Sequence, residues 1–182
     1  IVAKGDFSFE LNIPIPFSLV SNDVSNNRLV IMPGYWFMYN MYALARNAWK
    51  YQDRDQRTQK IQTIEYDYLA PDTVHAPFDA LGYFQQLTVT DKGEATVTGW
   101  ENSNRPVVLT KIPQAAQVFT NMIRYYGVMN LLQHIQETKP ADFAAFKKSM
   151  PSRIARSRWQ NIGGQLIRED RVHWLKQQIK SG

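Results

Sequence analysis

The sequence predicts an α+β fold, with a small, mostly antiparallel sheet from the N-terminal half packed on a helical C-terminal half. Three observations carry this. Apolar and polar residues alternate at period two in several short stretches before residue 110. An apolar stripe at steps of three and four runs from Pro113 to about Glu137. Beyond it, Pro140, Pro151 and the Gly163-Gly164 pair punctuate short helical pieces.

In chain order, Phe7, Phe9, Leu11 and Ile13 alternate with Ser8, Glu10 and Asn12 and read as a half-buried strand. Pro14 and Pro16 then withhold backbone donors, so 13–17 is expected at an edge or as a crossing segment. Polar residues 21–28 form a loop, and Pro33-Gly34 ends a short run, 29–32. The next stretch, Tyr35 to Lys50, traces two adjacent helical stripes, through Phe37, Met41 and Leu44 and through Met38, Tyr42 and Ala45. So wide an apolar face predicts a central helix covered on several sides. Strand character returns at Ile61 to Leu69, with Ile64, Tyr66 and Tyr68 on one face and Glu65 and Asp67 on the other. Pro71 and Pro77 bracket an expected loop holding His75, and 78–84 is open between helix and turn. Leu87 to Thr90 and Ala95 to Gly99 around Asp91-Lys92-Gly93 look like a hairpin with Val89 and Val97 inward, and 107–111 a further strand. In the long helix Val118, Met122, Tyr125, Met129 and Leu132 line one face, and Gly127 is expected to admit a close neighbour. A last helix runs from Glu169 and Asp170 to about Lys180, with acids at its start and lysines at its end.

The chain of 182 residues, 44% apolar and 20% charged, has the ordinary globular mix, which excludes a disordered or collagenous polymer. It holds no cysteine, so disulfides, thiol nucleophiles, cysteine zinc sites and iron–sulfur clusters are excluded together. That fits a reducing compartment, and a cytoplasmic location is the expectation. There is no apolar run long enough for a spanning helix, so no membrane partner is expected. The chain opens on Ile1 without a secretory signal pattern, and residues 1–182 are expected to be a single α+β domain forming the C-terminal fragment of a longer protein. The net charge of +5 is uneven: residues 1–100 hold eight Lys and Arg against eleven acids, and 101–182 hold thirteen against five. Lys147, Lys148, Arg153, Arg156 and Arg158 occur in one stretch without an acid, suited to phosphates, an acidic protein surface or plain solvation.

Catalytic signatures are mostly missing. No glycine-rich phosphate loop and no Gly-x-Ser-x-Gly is present, and His75, His134 and His173 lack metal-ligand spacing, so neither a metal nor a cofactor is expected. Glu65 and Asp67 are the best carboxylate pair for acid–base work, although the wet side of a strand explains them as well. Trp100, Glu101, Asn102 and Arg105 form the densest polar cluster. Trp100 is suited to stacking on a sugar or base and Arg105 to gripping phosphate; an equal alternative is a structural loop in which Asn102 and Asn104 make turns and Arg105 pairs with Glu101 or with Asp residues elsewhere. Tyr35, Trp36 and Tyr39, at the start of the aromatic helix, are the rings most apt to reach a ligand, while the stripe behind them is expected to be core.

Three strings, Met32-Pro-Gly-Tyr-Trp-Phe-Met-Tyr-Asn-Met-Tyr-Ala-Leu-Ala-Arg-Asn47, Gly99-Trp-Glu-Asn-Ser-Asn-Arg105 and Trp159-Gln-Asn-Ile-Gly-Gly-Gln-Leu-Ile167, resemble the C-terminal region of a family of long bacterial proteins typical of Bacteroidetes. The resemblance implies hexapeptide-repeat β-helices upstream and, for some members, sugar-1-phosphate nucleotidyltransferase activity, including the glucose-1-phosphate thymidylyltransferase type. This chain departs from that pattern. It shows neither the glycine-rich nucleotide motif, nor the metal-binding aspartate, nor a hexapeptide ladder. What the resemblance implies is therefore an accessory or oligomerisation domain that is not catalytic alone, with the upstream domain, a homo-oligomer and a sugar phosphate or sugar nucleotide as partners. The alternative is a polyanion-binding module using the basic C-terminal segment, which places nucleic acid second.

Overall fold

The computed structural model describes residues 2–150, 152 and 156–181. The class is α+β, as the sequence predicts. Five strands, β1 (Val2–Lys4), β2 (Leu19–Asp23), β3 (Arg28–Met32), β4 (Ala95–Val97) and β5 (Val107–Leu109), form a sheet in the order β1-β2-β3-β5-β4. The β2–β3 and β4–β5 pairs are antiparallel, and β1–β2 and β3–β5 are parallel. A second, two-stranded antiparallel sheet joins β6 (Trp159–Ile162) to β7 (Gln165–Arg168).

The core follows from register. Val20 is opposite Ile31, Leu29 opposite Val107, and Ile31 and Ala95 both opposite Leu109, which places one buried row across four strands. Onto that row pack α3 (Pro71–Phe84), through Ala80 and Phe84, and α4 (Ile112–Thr138), through Ile112, Ala115, Phe119 and Met122. Phe84 and Phe119 stack with ring centroids 6.0 Å apart. The long helix therefore runs close to its predicted bounds, yet its inward stripe stops after Met122. From Tyr125 onward Val128, Met129, Leu131 and Leu132 face outward.

Several expectations are corrected. Phe7 to Ile13 forms no strand ladder and bends at Ser8 and Phe9. Leu11, Ile13 and Ile15 still alternate inward, Asn12 N donates to Trp100 O at 2.7 Å, and the donors lost at Pro14 and Pro16 bar a longer pairing. Ile61 to Leu69 is not a strand: Glu65 Oε1 accepts from Asp67 N at 2.8 Å and Asp67 Oδ1 from Leu69 N at 3.0 Å, side-chain bonds that compete with a ladder. The expected loop from Pro71 to Pro77 is helical and holds His75 within α3. Pro71 fits a first turn, and burial of Val74, Pro77 and Phe84 outweighs the hydrogen bond Pro77 cannot make. Leu87 to Thr90 is not a strand, because Thr90 closes a tight turn with Gly93 and Glu94, so β4 pairs with β5 instead and Val89 is exposed. Gly163 and Gly164 do not end a helix; with φ of 63° and 88° they form the two-residue turn between β6 and β7. Gly127 has no neighbour within 4 Å of the Cβ position and admits no close approach.

The aromatic segment differs most. It is two helices, α1 (Tyr35–Tyr39) and α2 (Met41–Arg54), broken at Asn40, and it is not central. Phe37 packs edge-on against Phe17 at 4.8 Å, but Ala43 is the one fully buried residue of α2, while Tyr42 is 76% and Trp49 61% exposed. Further on, α5 (Phe143–Ser149) is capped by Asp142, and α6 (Glu169–Ser181) is anchored through Val172 and matches its predicted span. The expected start of a helix at Pro151 lies outside the described residues.

Candidate functional site

The loop 99–106 hangs between β4 and β5, and its predicted site residues face one another. Trp100 is buried against Tyr83, with centroids 5.6 Å apart. Glu101 is fully buried and accepts from Arg105 Nε, from Arg105 Nη2 at 2.7 Å and from Ser103 Oγ at 3.1 Å. Arg105 Nη1 donates to Asn22 Oδ1 at 2.9 Å, which ties the loop to the end of β2. Asn102 is exposed, with φ of 55°. In this arrangement the guanidinium's two-pronged face is closed by a carboxylate, and Trp100 offers no open face for stacking.

Tyr35, Trp36 and Tyr39 follow the other end of β3. Tyr35 lies 5.7 Å from Tyr39 and 6.2 Å from Trp36, and Tyr39 is exposed and its hydroxyl accepts from the Lys111 ammonium, 4.8 Å from its ring centroid. Arg105 sits beside the start of β3, since Leu29 N bonds Pro106 O, whereas Tyr35 lies past its end. Five strand residues, about 15 Å, separate the two groups, so the predicted set does not converge on one site.

A broad concavity lies elsewhere. A groove of about 1080 Å³ runs between α2, the segment 63–71 and the outward half of α4. Its floor includes Tyr68 and Tyr126, both held above the ordinary phenol range. Burial is the main cause at each; at Tyr126 the carboxylates of Glu65, Asp72 and Asp67 add to it. Tyr66 forms part of the wall and stacks on Tyr51 at 4.8 Å. Glu65, Asp67 and Glu137 line the groove and, among the described residues, no Lys, Arg or His does. The carboxylate pair singled out in the sequence is therefore at this groove, though its oxygens serve local turns.

The basic stretch is partly engaged. Arg158 makes a two-pronged pair with Asp79 at 2.9 and 3.0 Å, and Arg156 lies 3.9 Å from the centroid of Phe78. Arg153 is outside the described residues. His75 is buried in α3 with Nε2 2.7 Å from Ser157 O, which fastens the approach to β6. Among the described residues no group of three His, Asp or Glu side chains is placed to hold a metal ion, and no helix is long and apolar enough to cross a membrane.

What sequence reasoning missed is the outward apolar surface: Tyr42 and Trp49 on α2, Val128 and Leu131 on α4, Trp174 and Ile179 on α6. The periodic signal was present, but periodicity does not tell which covering element exists. No protein-family model and no solved structure matches the chain. An uncharacterised protein of Treponema pallidum (strain Nichols) is 33% identical over 205 residues, an alignment that takes in the whole of this chain but 28% of that protein, so the chain spans little more than a quarter of its relative's length.

Proposed function

We propose that this chain is a non-catalytic assembly domain, an accessory or oligomerisation unit of a longer protein. The observation that carries the reading is the row of large apolar side chains left in water on three ordered helices, α2, α4 and α6, beside a core that is fully closed. Exposed apolar faces of this extent mark contact surfaces. The internal pairing of Glu101 with Arg105 supports the same view, since it removes the best polar cluster from ligand duty. By the resemblance of its three sequence strings, the parent is a sugar-1-phosphate nucleotidyltransferase, whose chemistry then resides outside this chain.

Two measurements test this. Incubated with nucleoside triphosphates and sugar 1-phosphates, the chain is expected to release no pyrophosphate, and steady release overturns the reading. An apolar fluorescent dye is expected to bind the native chain and to lose most of its signal in the Tyr42→Ser/Trp49→Gln variant. A native chain that does not take up the dye contradicts an available contact surface.

A further inference from the structure

The groove beside α4 and the free face of α6 have matching properties. The groove is acidic, with Glu65, Asp67 and Glu137 in its lining and no cation, and Tyr125, Met129 and Leu132 give it an apolar wall. Helix α6 carries no acid after Asp170, while Lys176 and Lys180 flank an exposed stripe of Trp174, Leu175 and Ile179. Lengths agree as well. The groove follows α4 from Tyr125 to Glu137, about 18 Å at the helical rise, and α6 from Glu169 to Ser181 measures about the same.

We propose that the groove receives α6 of a second copy of this chain. The proposal rests on the assembly reading and names the occupant of one of its faces. Apolar stripe meets apolar wall, and the lysines meet the carboxylates, so each surface covers what the other leaves in water. A basic amphipathic helix in an acidic apolar groove is a recurrent mode of recognition. The contact joins two different surfaces, so it builds a reciprocal pair, a closed ring or an open filament according to the rotation between copies.

Sedimentation analysis of the chain over a concentration series tests this. Reversible self-association is expected, and it weakens with salt because charge pairs contribute. Gln136→Lys/Glu137→Lys in the groove and Lys176→Glu/Lys180→Glu on α6 should each weaken association at least about tenfold. Both pairs combined in one chain should restore it, a result that misfolding could not give; circular dichroism checks each variant. A chain that stays monomeric at every concentration overturns the proposal. So does association that is indifferent to the groove charges. Either result leaves the assembly reading standing if the dye still reports an open apolar surface, since the occupant is then another protein segment.

Discussion

Glu101 is the residue whose environment is most demanding. A carboxylate with no solvent access is tolerable only when ion-paired and hydrogen-bonded, and here a guanidinium and a hydroxyl supply the partners. Glu101→Gln leaves Arg105 largely buried without a counter-charge, and equilibrium unfolding in urea is expected to show a loss of about 3–5 kcal/mol. Replacing both, as Glu101→Gln/Arg105→Met, removes the orphaned charge and should recover a large part of that loss. A ligand-binding role for the pair would instead leave stability nearly unchanged in the single variant. The alternative of a structural loop, with Arg105 paired to Glu101 or to an Asp elsewhere, was legible in the sequence, and the choice of Glu101 was not. The burial of Trp100 was not, because nothing local to residues 99–106 shows that Tyr83 will cover it.

At the scale of elements, hairpin β6–β7 depends on two glycines that differ in their surroundings. Both have positive φ, but a Cβ on Gly164 would lie 2.9 Å from Ile64 Cγ2, whereas one on Gly163 meets nothing within 4 Å. Gly163→Ala therefore adds backbone strain of about 1–2 kcal/mol, and Gly164→Ala adds that strain and a clash. Thermal melts should rank Gly164→Ala below Gly163→Ala, and Ile64→Ala in the Gly164→Ala background should narrow the gap. Equal melting temperatures would mean that the segment around Ile64 does not lie on the turn. Elements whose signals are local were readable. The long helix begins at a proline with a clear stripe, and α6 begins with acids and ends with lysines. Residues 61–69 were not readable, because alternation is indifferent to whether side chains of Glu65 and Asp67 capture the backbone donors. The aromatic segment misled for a related reason: two stripes on one helix foretell a wide apolar face, and the chain described here does not itself cover it.

Across the whole molecule, a small closed core supports a much larger apolar perimeter. Sheet, α3 and the first half of α4 enclose Phe119, while α2, the second half of α4 and α6 leave Tyr42, Trp49, Val128, Leu131, Trp174 and Ile179 exposed. The charge asymmetry runs through the same division, with acids at the groove and bases along α6. Fold class was readable because it follows from the sum of many periodic segments, whereas an exposed face is a property of everything that packs beside it. In an assembly domain of this kind the outward rings contribute to contacts and not to the chain's own fold. Urea unfolding of Tyr42→Ser/Trp49→Gln beside Phe119→Ala tests this most directly. Near-native stability for the first, within about 0.5 kcal/mol, and a loss of about 3–5 kcal/mol for the second are predicted; a comparable loss in both would show the outward rings to be part of the core and contradict the account.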